Sequence, residues 1–481
     1  MRHSSSHSGS TLVISLVFMG VLMAGGAVTF NILQNRYRQV HQTATWQEAL
    51  LAAEGGIDLA VNEMRKELYD PENAWADWSG TPEETGGGGS TGTGMYYTSK
   101  VLLREGEGGQ RSYAKISVEA PEFLVDATGE QWFRVRSLGV ANVPGGAVAA
   151  GDKIDLRLRK FDLITDRRTG ERVQPQATRL IEAIVKPVGT FRLALFGVKT
   201  IDMNNHNIVI DSYDSRDTTK STNKFYDVAK RQKKGNIATN GTLISAGSAH
   251  VYGDAATNGG TVLNSSNVTG EIRDDFYQEL FTVTRPDVLT DVGSPNTING
   301  STIIDAKAAD PAQLTVSQIN LSGQQILRIR GAADESTTYA QIVVNGSIST
   351  SGQSQIIIDP GVKLRIFVAG DVDIGGNGVI NTNSPLNFQL YGLDRPTNPD
   401  GSPINPGSLK IAGNGGFRGT LYAPAYNVKM VGGGNSDSIF GSFVGWTVGM
   451  TGVQAVHYDE ALADGGLISD YKIVSWFEDA R

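Results

Sequence analysis

The sequence TLVISLVFMGVLMAGGAVTFNIL, from Thr11 to Leu33, contains no ionisable side chain, and it lies between Arg2 on one side and Arg36 and Arg38 on the other. At about 1.5 Å of rise per residue, a helix of this length covers about 35 Å, which exceeds the roughly 30 Å hydrocarbon core of a bilayer. The stretch therefore predicts a single membrane-spanning helix, and every later segment has a position relative to that membrane.

A cleavable signal peptide is the alternative, because the small residues from Ala24 to Ala27 suit a cleavage site. The apolar region of a signal peptide runs for only about 7–15 residues. Here apolar side chains recur close to helical spacing beyond Gln34, as far as Leu68. We therefore expect a polar leader over residues 1–9 and an uncleaved helix over residues 10–68.

The composition limits the chemistry of the chain. It has 481 residues, a formal net charge of −8 and no cysteine. Disulfides, thiolate metal sites and cysteine nucleophiles are therefore excluded, and the acidic balance gives no sign of nucleic-acid binding. With 58 glycines and only 8% aromatic residues, the sequence favours thin, repetitive β structure with many turns. No motif for a cofactor is present.

The first part after the helix is predicted to be a linker and a small β domain. Pro71 ends the helix, and the Gly/Ser/Thr-rich run within residues 69–94 is typical of flexible coil. Over residues 95–190 the segments YYTSKVLL, RSYAKISVEA, QWFRVRSLGVA and DKIDLRLRKFDL alternate apolar and polar side chains, as strands with one solvated face do. We expect a small antiparallel sheet.

The remaining sequence is predicted to form an irregular β-solenoid. Short apolar triplets separated by Gly and Asn, each too small to bury its own face, are typical of stacked rungs. We assign residues 191–284 and 340–465 to two solenoid parts, residues 285–339 to a loop-rich insertion and residues 466–481 to a C-terminal tail. The expected fold class is mainly β with a long N-terminal α-helix.

The N-terminal region resembles a known family. The apolar helix is preceded by a short polar leader and followed by ALLAAEGGIDLA, from Ala49 to Ala60. In this order the features resemble the N-terminal region of PilX-type minor pilins of bacterial type IV pilus systems. The resemblance implies an N-terminus inside the cell, since the arginines on both sides of the helix leave the positive-inside rule ambiguous.

The resemblance also implies roles for individual residues. A prepilin peptidase would cleave after Gly9 and make Ser10 the new N-terminus. Most major pilins carry a glutamate at the fifth mature position, whereas this chain has Ile14, which favours a minor or initiating subunit. Four residues are assigned to helix packing: Gly20, Gly25, Gly26 and Glu54. An exposed helix charge is an equally simple interpretation of the last of these.

The C-terminal region resembles a domain of unknown function found in bacterial surface and pilus-associated proteins. Three motifs carry the resemblance: GGFRGTLYAPAYNV over residues 415–428, IFGSFVG over residues 439–445 and HYDEAL over residues 457–462. The resemblance implies that the last motif closes the solenoid, with His457, Tyr458, Asp459 and Glu460 as closing residues. On an extended strand His457 and Asp459 face one side and Glu460 the other, which argues against a metal or acid–base site.

Two groups of aspartates are candidates for calcium binding. One comprises Asp211, Asp214 and Asp217, and the other comprises Asp371 and Asp373. Neither group completes the spacing of a known calcium loop. We therefore interpret both as turn residues and expect no metal.

Together these patterns predict a non-enzymatic, membrane-anchored minor pilin-like protein that acts in filament assembly, surface display or adhesion. The expected partners are inner-membrane lipid and other pilin-type subunits, and the body is expected in the periplasm or at the cell surface. The alternative is a secreted or anchored β-helix enzyme acting on polysaccharide. Such an enzyme needs a close carboxylate pair on one face, and no motif marks one.

Overall fold

The computed structural model describes residues 8–69, 73–76, 78, 94–105, 111–121, 124, 132–142, 176–203, 208–286, 296–307, 312–331, 337–412, 417–432, 438–452 and 455–479. This part of the chain is mainly β, with one long N-terminal helix. The protein divides into two compact units, Met1–Lys186 with Lys472–Arg481, and Pro187–Tyr471.

The first unit begins with helix α1, Ser8–Tyr69, which is continuous over 62 residues. The predicted linker at residues 69–94 lies largely outside the described residues. Within it, Trp75 is buried, its backbone N–H donates to Glu63 and its indole Nε1 donates to Glu67. This tryptophan therefore packs back on the last turns of α1.

A five-stranded sheet completes the first unit. Its strands, in spatial order, are β1 (Gly94–Glu105), β2 (Arg111–Ala120), β3 (Phe133–Asn142), β4 (Gln176–Gly189) and β29 (Ile468–Asp479). The pairs from β1 to β4 are antiparallel, as the alternating pattern predicts. The predicted strand DKIDLRLRKFDL lies outside the described residues.

The position of β29 corrects the prediction of a C-terminal tail at residues 466–481. This strand lies next to β4, although about 280 residues separate the two in the chain. Since period-two patterning reports only that a strand exists, the sequence does not reveal which sheet β29 joins. The whole second unit is thus inserted between two neighbouring strands of the first.

Among its described residues, the second unit consists of strands that pair in parallel, most of them short, together with four 3-10 helices. The strands that precede the long connection are β5 (Leu195–Asp202), β6 (Val209–Tyr213), β7 (Ile237–Thr239), β8 (Leu243–Ser245), β9 (His250–Val251), β10 (Ala255–Ala256), β11 (Thr261–Leu263) and β12 (Ile272–Arg273). We call them the first arm.

We call the strands that follow the connection the second arm. They are β13 (Thr297–Ile298), β14 (Thr302–Asp305), β15 (Ala312–Val316), β16 (Gln318–Leu321), β17 (Ile326–Arg330), β18 (Thr338–Val344), β19 (Ile348–Thr350), β20 (Gln355–Ile358), β21 (Val362–Val368), β22 (Val372–Ile374), β23 (Val379–Asn381), β24 (Phe388–Gly392), β25 (Gly407–Ala412), β26 (Phe417–Val431), β27 (Ser438–Thr451) and β28 (Ala455–Asp459). The 3-10 helices are Val228–Lys230, Ser265–Asn267, Pro385–Asn387 and Glu460–Asp464.

The two arms stack end to end, but not in the order of the sequence. Along one side, the parallel pairs place the strands in the order β12, β10, β7, β5, β27, β26, β24, β21, β18 and β15. The chain therefore enters in the middle, at β5, and winds to the end of the first arm. It then crosses to the far end of the second arm and winds back to β27 and β28, beside its entry point.

This order corrects the prediction of a loop-rich insertion at residues 285–339. Strands β13 to β17 and the start of β18 lie in that range and form levels of the second arm. Part of the predicted loop, residues 287–295, lies outside the described residues. The proline- and asparagine-rich sequence marks the long connection between the arms, which is shorter than the predicted insertion.

A continuous column of buried apolar side chains supports the stack. From the second arm to the first, it comprises Leu314, Ile342, Ile366, Leu390, Leu421, Phe443, Leu195, Ile237 and Ala255, each in register with the next. The column passes from Phe443 to Leu195 without interruption. The body is therefore one parallel, solenoid-like stack with a shared core.

The connection between the arms packs on aromatic side chains of β5 and β26. The ring of Phe281 stacks on Tyr422 with centroids 4.3 Å apart, and Phe276 meets Phe196 at 5.9 Å. The hydroxyl of Tyr422 donates to the carbonyl of Phe281, and the amide of Asp394 donates to the carbonyl of Val283. Because these strands are buried on both faces, their sequences read as continuous apolar runs.

Candidate functional site

The first candidate site is the N-terminal half of α1. The described side chains of the apolar segment from Val13 to Leu33 are all exposed, and the most apolar window of the helix has a mean hydropathy of 2.2 with none of it buried. By length and composition, α1 is a candidate single membrane span. A Cβ atom built on Gly20, Gly25 or Gly26 meets no atom within 4 Å.

The C-terminal half of α1 is different, because it packs on the sheet of the first unit. Small or apolar side chains at helical spacing are buried there: Thr45, Ala49, Ala52, Ala53, Ile57, Ala60, Val61 and Met64. A Cβ on Gly139 of β3 would lie 1.9 Å from the carbonyl oxygen of Ala49 and 2.4 Å from the nitrogen of Ala53. Helix and sheet are thus in direct backbone contact, which only glycine permits.

Glu54, assigned to helix packing, is half-buried at this contact. The neighbouring Gly56 lies at its centre, since a Cβ there would meet the hydroxyl oxygen of Ser137 at 2.1 Å and the Cβ of Ala114 at 2.9 Å. The alanine-rich run that follows the apolar helix therefore has a structural role. Sequence reasoning assigned no role to Gly56 or Gly139, although the pair of glycines in ALLAAEGG is an available signal.

The second candidate site is the joint, where β27 and β28 of the second arm pair with β5 and β6 of the first. Strand β28 has β27 on one edge and β6 on the other. This corrects the expectation that HYDEAL closes the solenoid, because the motif lies inside the stack. The resemblance on which that expectation rested comes from the sequence of the second arm alone, which ends at this strand.

At the centre of the joint, His457 is in register with Asp211 of β6. Its Nδ1 lies 2.6 Å from Oδ1 of that carboxylate, which is completely buried. Tyr226 donates its hydroxyl to Oδ2 at 2.7 Å, and its ring stacks on the imidazole with centroids 3.6 Å apart. Burial and the bond to Asp211 raise the pKa of Tyr226, so its hydroxyl stays protonated as a donor.

The other polar residues of the motif are also buried and hydrogen-bonded. Tyr458 points to the opposite side, is buried and donates to the carbonyl of Phe191. Asp459 is buried and accepts the backbone N–H groups of Ser215 and Ala461, which makes it the N-cap of the last 3-10 helix. Burial raises the pKa of Asp459.

Glu460 is buried at the start of the 3-10 helix Glu460–Asp464. One carboxylate oxygen accepts from the hydroxyl of Ser212, and the other accepts from Lys234 at 2.8 Å. The contacts from His457 to Asp211, from Glu460 to Ser212 and Lys234, and from Asp459 to Ser215 join one arm to the other, so the joint holds the two arms in register.

The first group of candidate calcium ligands is divided among different partners. Asp211 bonds to His457 and Tyr226, while Asp217 accepts the backbone N–H and the hydroxyl of Thr219. Burial alone would raise the pKa of Asp214, but hydrogen bonds from Arg216 lower it. The three carboxylates therefore do not converge on a common point.

The second group is also engaged. Asp371 accepts the backbone N–H of Ser408, and Asp373 lies 3.3 Å from Nζ of Lys410. Among the described residues, no group of three or more acidic or histidine side chains is placed to hold a metal ion.

The aromatic residues of the LYAPAYNV segment explain several glycines. The hydroxyl of Tyr426 donates to the carbonyls of Val368 and Ala369. Its ring fills the space where Gly392 and Gly407 would carry Cβ atoms, at 2.6 Å and 2.2 Å. The motif therefore fixes a corner of the second arm by packing.

The fold thus defines a class: a candidate membrane-span helix, a small helix-on-sheet unit and an inserted parallel β body. A family model described as "Domain of unknown function (DUF7305)" matches residues 327–465, from β17 to the end of the HYDEAL helix. The match covers most of the second arm and stops at the joint. No curated relative and no solved structure matches the chain.

Proposed function

We propose that this chain is a non-enzymatic, membrane-anchored minor pilin-like subunit that acts in filament assembly, surface display or adhesion. The observation that carries the proposal is the division of α1 into an exposed apolar half and a half seated on a small antiparallel sheet. Such a helix enters lipid with its first half while its second half holds the folded part of the chain at a fixed place.

The proposed mechanism is a transfer of the exposed half from lipid into a bundle of similar helices. Helices that associate inside a membrane gain little from apolar burial and depend on close packing at small residues. A Cβ on Gly20, Gly25 or Gly26 would meet no described atom within 4 Å, so these positions leave room for such an approach. In this proposal the N-terminus is cytoplasmic, Gly9 and Ser10 flank the peptidase cleavage site, and the β body is periplasmic or at the cell surface.

The proposal of a non-enzymatic role is supported by the state of the carboxylates that an enzyme would need. Both oxygens of Asp211 are bonded within a buried network, and Asp373 lies beside Lys410. Neither is a free carboxylate facing a substrate groove. No specific observation favours glycan cleavage.

The test uses Gly25→Leu in the full chain, with Ala27→Leu as the matched control about 200° further around the helix. Because a Cβ on Gly25 would meet no described atom within 4 Å, we expect the larger side chain to leave folding and membrane insertion unchanged. We expect at least a tenfold loss of co-purification with other pilin-type subunits from membranes for the first variant, and little change for the second. Equal recovery of partners by both variants would refute the packing role.

Sequencing the N-terminus of the mature protein from membranes gives an independent test. A start at Ser10 supports processing as a pilin. A start near Ala27 removes the helix and contradicts the proposal.

A further inference from the structure

The loop that connects β6 to β7, residues 214–235, carries an unusual charge for this acidic protein. Between residues 224 and 234 it contains five cationic side chains and one carboxylate, in a chain of net charge −8. We call residues 224–234 the basic segment. It is anchored at the joint by Tyr226, which bonds to Asp211, and by Lys234, which bonds to Glu460.

Several of these charges are not neutralised by carboxylates. Lys224 and Lys233 are exposed, and neither forms an ion pair with a described residue. Nζ of Lys230 donates to the backbone carbonyls of Thr218 and Ser221, which fix its position without cancelling its charge. The basic segment therefore presents two cations without a described acidic partner, Lys224 and Lys233, beside a fixed Lys230 that shares the charge of Asp227.

The tip of the loop is a tight turn that projects one of them. Thr222 and Phe225 form an antiparallel bridge, and the two residues between them, Asn223 and Lys224, have φ values of 52° and 69°. A lysine in the left-handed region of backbone conformation is energetically unfavourable, so the rest of the turn must hold Lys224 in it. Phe225 is 43% exposed and Val228 is 70% exposed, so apolar side chains accompany the charges.

The free end of the first arm has the opposite character. Residues 271–279 contain four carboxylates and one arginine, and we call them the acidic end. Ile272 and Tyr277 in this segment are 45% and 69% exposed. Strand β12 pairs with β10 on one edge, and no described strand lies on its other edge. Edges of this kind are ordinarily covered or charged, because they accept further strands or chains.

We propose that the basic segment of one copy of this protein docks on the acidic end of a second copy. The two surfaces have opposite charge, and each carries exposed apolar side chains that such a contact would cover. They are different surfaces of the same chain, so the contact is heterologous, and it extends into a row of copies unless the rotation closes a ring. The inference concerns the β body and is independent of the role proposed for α1.

The absence of cysteine permits a direct test with the full chain in detergent. One population carries Val228→Cys and the other carries Tyr277→Cys, so that each molecule has a single thiol. After mixing under mild oxidation, we expect a disulfide-linked dimer of one copy from each population. The control is Ile303→Cys, an exposed site on the second arm, in place of either partner. The dimer should be at least fivefold more abundant than in these control mixtures.

Electrostatic complementarity is tested by reversing charges. Lys224→Glu with Lys233→Glu in the first population should reduce linkage at least tenfold, as should raising the salt to about 1 M, where the screening length falls to about 3 Å. Asp274→Lys with Asp275→Lys in the second population should restore linkage to the reversed first population. Three results would overturn the proposal. They are linkage no greater than with the Ile303→Cys control, linkage that does not change with salt, and failure of the double charge reversal to restore linkage. Association through α1 alone would appear as the salt-independent outcome.

Discussion

The close contact between α1 and the sheet makes a sharp prediction for Gly139→Ala. The added Cβ would lie 1.9 Å from the carbonyl oxygen of Ala49 and 2.4 Å from the nitrogen of Ala53. Ordinary carbon contacts need about 3.5 Å, so the helix must move away by about 1.5 Å. Both clashing atoms are backbone, so no change of rotamer relieves them. Overpacking of this kind costs about 3 kcal/mol, which corresponds to roughly a 150-fold change in an equilibrium constant.

The assay is amide hydrogen exchange over residues 49–64 of α1, in the full chain in detergent. Gly139→Ala should lower protection there by about two orders of magnitude, because the helix opens locally from its seat. The matched control is Gly55→Ala, whose Cβ would meet only Leu103 at 3.7 Å. Replacing glycine in a helix gains up to about 1 kcal/mol, so protection should rise slightly. Unchanged protection in Gly139→Ala would refute the described seat of the helix on the sheet.

Two predictions concern the joint. His457→Ala removes one partner of the completely buried Asp211 carboxylate. It should lower the free energy of unfolding, measured with denaturant, by about 3 kcal/mol or more. The side chain of Lys234 is mostly exposed, so Lys234→Ala should lower it by about 1 kcal/mol or less. Asp459→Asn tests the pKa of Asp459, which burial raises in the folded state. A carboxyl group with a raised folded-state pKa favours folding at low pH and loses that contribution as pH rises through the folded-state pKa. The variant should therefore gain stability relative to the parent as the pH rises from acid to neutral, and a relative loss would contradict the direction of the shift.

Much of the local structure follows from the sequence. The apolar stretch from Thr11 to Leu33 and the helical spacing beyond it predict α1, because both signals depend only on neighbours in the chain. Strands such as β2 and β3 follow from strict alternation of apolar and polar residues. The short apolar triplets separated by Gly and Asn correctly predict a body of small parallel strands.

The arrangement of those strands does not follow from the sequence. Pairing between β27 and β5, and between β29 and β4, joins segments that lie about 250 to 280 residues apart. Periodicity shows which side chains turn inward, but a parallel strand of three residues carries almost no information about its neighbour. For the same reason, the polar residues of HYDEAL were interpreted as a closing motif, since their partners at Asp211 and Tyr226 are distant in sequence.

The order of strands has a consequence for how the joint is held. Strand β5 is the first of the body to be synthesised, yet one of its edges has no partner until β27 exists, about 250 residues later. The apolar column of the core would tolerate β27 sliding along β5 by two residues, because the period of side chains on a strand is two. The bond between His457 and Asp211 does not tolerate such a shift, since a displaced register would leave a buried carboxylate without its partner. We infer that the polar network at the joint specifies register where the apolar core cannot.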